Sequence, residues 1–400
     1  VFKNNRHTHY YLILLLFIGF ICQPESGMAV ISGECSDCHT MHNSQGGTAM
    51  ATYKYTGEAD GPYPNLLVGT CLGCHAQNTG NNIEDMSGNA VPQVYHTNST
   101  DLAAGNFRYV DTNGDNYGHN VIDIFGVNSD GTLDVAPGQI PGHGTGILND
   151  THLTCAGAVG CHGLRVNTLA YGSYGHTGIV ALDGAHHGNE DGQLTSATTV
   201  ANSYRFLLQV KGLENPTATA ADKWQNKDSS SHNEYFGQAS PKVLGCSGAA
   251  NASCHTGGTY LLPVAPPSFT ISEFCGTCHA NFHSLAGWSF SGNPVDGIGT
   301  SASSPFIRHP TDIVIPDSGE YAVALRSYNT VAPLGRTTVP ASASSAASTT
   351  DVVTCLSCHY SHAGPYPDLL RWDYLNKCET QTSYTENDCG CFVCHTTKDG

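Results

Sequence analysis

Residues 355 to 362 read Cys355-Leu-Ser-Cys358-His359-Tyr-Ser-His362, and this stretch decides what kind of fold the chain adopts. Cys-x-x-Cys-His is the attachment motif of c-type haem. Two thiols add across the two vinyl groups of the ring, and the adjoining histidine is placed beneath it to ligate iron. The motif recurs at Cys35/Cys38/His39, Cys71/Cys74/His75, Cys275/Cys278/His279 and Cys391/Cys394/His395. Zinc sites use the same cysteine spacing but have no need of a histidine fixed directly after the second one, so five copies point to haem.

Two further stretches keep the final Cys-His and lengthen what precedes it: Cys155-AGAVG-Cys161-His162 and Cys246-SGAANAS-Cys254-His255. Their small residues would let a loop bulge while both thiols reach their vinyls. The competing reading is a local disulfide in an oxidising compartment, which leaves the following histidine unexplained both times. Seven motifs absorb 14 of the 17 cysteines; Cys22, Cys378 and Cys389 remain, the last two as a candidate disulfide beside the final haem. Beyond His7, His9 and the seven proximal ligands stand twelve histidines, against four methionines in the whole chain. Bis-histidine ligation is therefore the expected rule, with low reduction potentials.

Composition agrees. Among 400 residues, 45 glycines and 19 prolines interrupt the apolar stretches, and no sustained helical or strand period is visible. The expected fold is a multihaem cytochrome c: mostly irregular coil with short helices and few strands, wrapped around a continuous haem row that supplies much of the core. Sixteen basic against 33 acidic side chains give a formal charge of −17 and make nucleic acid a poor partner. Residues 1–29 read as a signal peptide, with Lys3 and Arg6 before an apolar run from Tyr10 to Ile21 and a small-x-small site at Gly27-Met28-Ala29. A retained membrane anchor is the alternative for that run. No second apolar run reaches spanning length, so residues 30–400 are expected to form a single exported multihaem domain.

Cys35 to Cys71 and Cys355 to Cys391 are both 36 residues, so 35–75 and 355–395 look like one haem-pair unit used twice. Each opens Cys-x-x-Cys-His-x-x-His, which supplies His42 and His362, and a close variant ends at His283. Such a histidine sits too near its own attachment site to reach the far side of the same ring, and is expected to ligate a neighbouring haem. Between the units, 126–260 is loop-rich and divergent. Asp111-Thr-Asn113-Gly-Asp115-Asn resembles a calcium loop, but its glycine is misplaced and no glutamate closes it, so calcium is not favoured there.

At Gly33–Ser44, Tyr95-His96, Gly118-His119-Asn120, Phe274–Ser284, Arg308-His309-Pro310, Thr354–Ala363 and the Cys391 motif, the chain resembles the OmcS-type extracellular cytochromes, hexahaem proteins of metal-respiring bacteria that polymerise into conductive filaments. The resemblance covers 33–125 and 271–400; the middle departs, with two stretched motifs where that family has a single ordinary one. It implies distal ligands at His96, His119, His283, His309 and His362. It also implies that His42 ligates a haem of the next subunit, the one held by Cys355, Cys358 and His359. Ligation of His42 within its own chain stays open. His186, His187 and His232 are candidates for the remaining distal ligand, with His143, His152 and His176 behind them. The implied function is extracellular electron transfer by a head-to-tail homopolymer that also meets redox partner cytochromes or extracellular acceptors. The alternatives are a soluble periplasmic shuttle and a multihaem oxidoreductase on a small nitrogen or sulfur compound. A chain so rich in histidine is read more simply as an electron carrier than as an enzyme.

Overall fold

The computed structural model describes residues 36, 39–51, 62–63, 66–69, 71–77, 83–86, 89–96, 102–121, 124, 136–137, 153–156, 160–162, 210–211, 232–239, 270–276, 278–279, 282, 309–321, 328–338, 346–380 and 389–396. The signal-peptide reading of 1–29 and most of the divergent middle lie outside these residues.

Regular elements are short. A hairpin of β1 (Ser44–Gln45) and β2 (Thr48–Ala49) precedes α1 (Cys71–His75) and β3 (Ala76–Gln77). Strands β4 (Ile83–Met86) and β5 (Asn89–Pro92) form a second antiparallel hairpin, and β6 (Tyr95–His96) then pairs in parallel with β3. Next come α2 (Arg108–Asn113), the paired β7 (Thr154–Ala156) and β8 (Gly160–His162), β9 (Val210–Lys211), β10 (Glu234–Phe236) and α3 (Ile271–Gly276). The chain ends with β11 (Ile313–Val314), β12 (Gly335–Arg336), β13 (Val352–Val353) and α4 (Cys391–Cys394). Among the described residues the longest helices have 6 residues and no helix is long and apolar enough to cross a membrane. The expected architecture of coil with short helices and few strands is what the chain adopts.

The largest sheet has five strands in the order β11-β13-β12-β10-β9. Tyr235 of β10 packs with Val210, Ile271, Phe274 and Leu356, and Cys161 lies against this cluster. On the flanking positions of β10 stand Glu234 and Phe236, both buried. Glu234 accepts hydrogen bonds from Arg336 Nε (2.8 Å), and Arg336 also pairs with Asp351 and donates to the Ala346 carbonyl at 3.0 Å. Burying Glu234 works against its ionisation, but hydrogen bonds from His232 and Arg336 outweigh that and hold its pKa below the usual carboxylate range. The network fastens β10, β12 and the residue just before β13 together, immediately upstream of the Cys355 motif.

A second cluster, of Leu72, Ala76, Tyr95, Phe107, Val110, Val121, Ile124 and Ala363, joins α1, the helix of the Cys71 motif, to the segment after His362. Asn106 is its hub: its Oδ1 accepts from the backbone of His96 and of Arg108, both at 3.0 Å, while its own N–H donates to the Ala363 carbonyl at 2.9 Å. The approach is close enough that glycine is required at 105, where φ is +94° and a Cβ would lie 2.0 Å from the Ala363 oxygen. Asp111 lies in α2 and its carboxylate accepts from the Tyr95 hydroxyl at 2.6 Å, so in the calcium-like stretch it serves the fold.

Candidate haem-binding and electron-transfer site

Three of the attachment motifs are built as one helical turn. The backbone N–H of His279 donates to the Cys275 carbonyl at 3.0 Å, that of His359 to Cys355 at 3.1 Å and that of His395 to Cys391 at 2.9 Å. Cys71–His75 is likewise a helix. A single turn puts the first cysteine and the histidine on one side of the chain, as a ring clasped by both demands. The stretched site 155–162 is built otherwise. Thr154 opposes Gly160 and Ala156 opposes His162, which sets Cys155 beside Cys161 across a short ladder despite five intervening residues. No disulfide joins these two, nor Cys71, Cys275, Cys278, Cys355, Cys358, Cys391 or Cys394, whereas Cys378 and Cys389 form the expected disulfide.

The motifs also touch one another. The thiol of Cys275 is held well above the ordinary range, first by a hydrogen bond to the Cys355 thiol, then by burial and by nearby Cys161. Burial pushes Cys358 up to about 12, with Cys391 and Cys394 adding to the effect. Burial likewise raises Cys394 to about 12. Four motifs are therefore linked in the order 155/161, 275/278, 355/358, 391/394.

Histidines meet in pairs across this series. His162 and His362 have ring centres 6.0 Å apart, His119 and His279 6.2 Å, and His309 and His395 6.2 Å. An imidazole nitrogen lies about 2 Å from a metal it ligates and roughly 1 Å from its own ring centre, so two imidazoles on opposite sides of one ion have centres about 6 Å apart. In each pair one member follows an attachment motif and the other is an expected distal ligand. In the His119–His279 and His309–His395 pairs, and behind His359, the second nitrogen is provided for as well. Nδ1 of His279 donates to the Pro137 carbonyl at 2.7 Å, that of His359 to Asp368 at 2.6 Å, that of His119 to Ser361 at 2.8 Å and that of His309 to Pro310 at 2.8 Å. A donating Nδ1 leaves the Nε2 lone pair for a metal. His395 Nδ1 instead faces the Glu320 carboxylate at 3.3 Å. Burial lowers His119 to about 4, assisted by the nearby His279, and lowers His279 and His362 too, so all three favour the neutral, ligating form. These residues fit a row of bis-histidine haems.

The other expected residues fall as follows. His39 and His75 are half-buried, and His96 is fully buried on β6 beside Gln77 of β3. His42 is exposed. His232 is buried, stacked on Tyr328 at 3.7 Å, and its Nε2 bonds Glu234 Oε1 at 2.9 Å. Cys35, Cys38, Cys246, Cys254, His255, His283, His186, His187, His143, His152 and His176, with the side chain of Cys74, lie outside the described residues. The carbonyls of Pro137, Ser361, Pro310 and Asp368 were not foreseeable, because any residue presents one.

No family model matches the chain. It is 27% identical over 382 residues to the C-type cytochrome OmcS of Geobacter sulfurreducens, covering 85% of this chain and 78% of that protein. Two solved structures align with it, each at a TM-score of 0.41 and 17% identity over 92% of this chain: an Outer Membrane Cytochrome S filament and OmcS nanowires, both from Geobacter sulfurreducens, covered to 92% and 95%.

Proposed function

We propose, from the premise that this chain is an OmcS-type c-type cytochrome, that it conducts electrons outside the cell along a row of bis-histidine haems continued from subunit to subunit. The observation that carries the reading is the set of three histidine pairs with ring centres 6.0 to 6.2 Å apart, each joining an attachment motif to a histidine from a distant part of the chain. Haem c supplies reversible one-electron chemistry at iron. The chain's residues do the rest.

His279 with His119, His395 with His309 and His162 with His362 would each hold one haem iron between them. The carbonyls behind Nδ1 of His279, His119 and His309 fix the orientation of those rings, so little rearranges there when charge moves. The contact between Cys275 and Cys355 and the proximity of Cys358 to Cys391 would place successive attachment sites side by side. Seven haems follow if the 246–255 site is loaded as well, and the remaining distal ligands are His96, His283 and one of His186 and His187, since His232 is committed to Glu234.

His42 ligates the haem at Cys355, Cys358 and His359 of the next copy. Its exposure supports this, and so does the firm turn beneath it: Asn43 accepts from Ala51 N–H at 2.8 Å and its own N–H donates to Thr40 Oγ1 at 3.0 Å. Such a contact is head-to-tail and does not close, which generates a filament. Negative-stain microscopy of sheared extracellular material tests the reading. Filaments that vanish in His42→Ala are expected; wild-type monomers at every concentration would sink it. Intact mass of the mature chain reports the haem number.

A further inference from the structure

Three sulfur atoms meet at the last attachment motif. Sγ of Cys378, Cys389 and Cys391 all lie within 4.8 Å of one another. The first two are joined as a disulfide, and the third is a thiol that this chain's haem reading requires for a vinyl group. The local sequence, Cys389-Gly390-Cys391-Phe-Val-Cys394-His395, places three cysteines before one histidine where attachment uses two. Packing holds them together. Cys378, Cys389, Trp372, Phe392 and Ala332 form one buried cluster, and a Cβ on Gly390 would come within 2.1 Å of the Trp372 ring.

We infer that the Cys378–Cys389 disulfide guards haem attachment at Cys391 by keeping two competing thiols out of reach. The proposal rests on the haem reading of the Cys391 motif. Attachment adds S–H across a vinyl double bond: a carbon–sulfur bond forms, the hydrogen goes to the neighbouring carbon, and no electrons leave or enter. It needs Cys391 as a thiol. If Cys378 or Cys389 stood alone, a disulfide-bearing oxidoreductase of the export compartment would oxidise the remaining thiol and Cys391 to a disulfide. Two protons and two electrons would pass to the oxidant's own disulfide, giving two thiols there. That product cannot add to a vinyl.

The native pairing removes both competitors at once. One escape route remains. The Cys391 thiolate can attack the neighbouring disulfide, forming a bond to one sulfur while the other leaves as thiolate, with no outside oxidant. Once the thioether forms, the sulfur has no proton to lose and the exchange is closed.

The test compares the full chain, Cys378→Ser, Cys389→Ser and the double variant, each produced in a host that attaches haem c. The readout is the mass of the proteolytic peptide spanning 389–395. The double variant is expected to keep wild-type haem at this site, while each single variant loses about tenfold and Cys389→Ser shows a Cys378–Cys391 disulfide. Equal haem in the single and double variants, whether both full or both depleted, would overturn the guard role. A wild-type peptide without haem would overturn the attachment reading beneath it.

Discussion

The two 36-residue units begin with the same Cys-x-x-Cys-His-x-x-His pattern, yet their last histidines have opposite fates. His362 stacks on Phe107 at 4.7 Å, stands 6.0 Å from His162, and is tied by its backbone to Ala104 (2.8 Å) and His119 (3.0 Å). His42 sits on the surface between exposed Met41 and an exposed hairpin. The difference lies in what the rest of the chain brings. Residues 102–121 fold over the C-terminal unit, whereas the described part of the N-terminal unit leaves its histidine open to solvent. One motif thereby presents an enclosed histidine at one end and an exposed one at the other.

Breaking the C-terminal half of this comparison should cost most. Arg336→Leu leaves Glu234 and Asp351 buried without their cation, and is expected to destabilise the chain by about 3–5 kcal/mol in a denaturant melt. His362→Ala removes a packed ring, costs about 2–4 kcal/mol, and converts one haem from low-spin to high-spin in the visible spectrum. Gly105→Ala meets both a positive φ and the Ala363 oxygen 2.0 Å away, for about 1–3 kcal/mol and a weakened His119 pair. His42→Ala sharpens the contrast from the other side. A surface site should move stability by no more than about 0.5 kcal/mol while removing filaments from the micrographs.

Acid should act on the same half. His119 has its pKa depressed to about 4, so below the ordinary imidazole value the unfolded chain binds more protons than the folded one. Stability from this group is present above about pH 6.5 and is lost progressively as pH falls towards 4. A melting temperature that stays flat across that window would count against a buried neutral His119.

Much of this was legible because haem attachment is a local act: five motifs, the disulfide at Cys378 and Cys389, and the coil-dominated architecture follow from spacing and composition. Distal ligands were less legible, since a ligand such as His119 meets His279 through the path of the whole chain. His309 likewise comes to within 6.2 Å of His395 only through the fold. His232 shows what local sequence could not reveal. Its Nε2 is committed to Glu234, which is itself held by Arg336 a hundred and two residues away, and no short pattern marks that network.

The carbonyls behind the histidines expected as ligands have an evolutionary consequence. A side-chain acceptor is lost with one base change, but the oxygens of Pro137, Ser361, Pro310 and Asp368 survive any substitution that keeps the course of the backbone. Those four positions can therefore drift in sequence while the tautomer of each histidine is inherited unchanged.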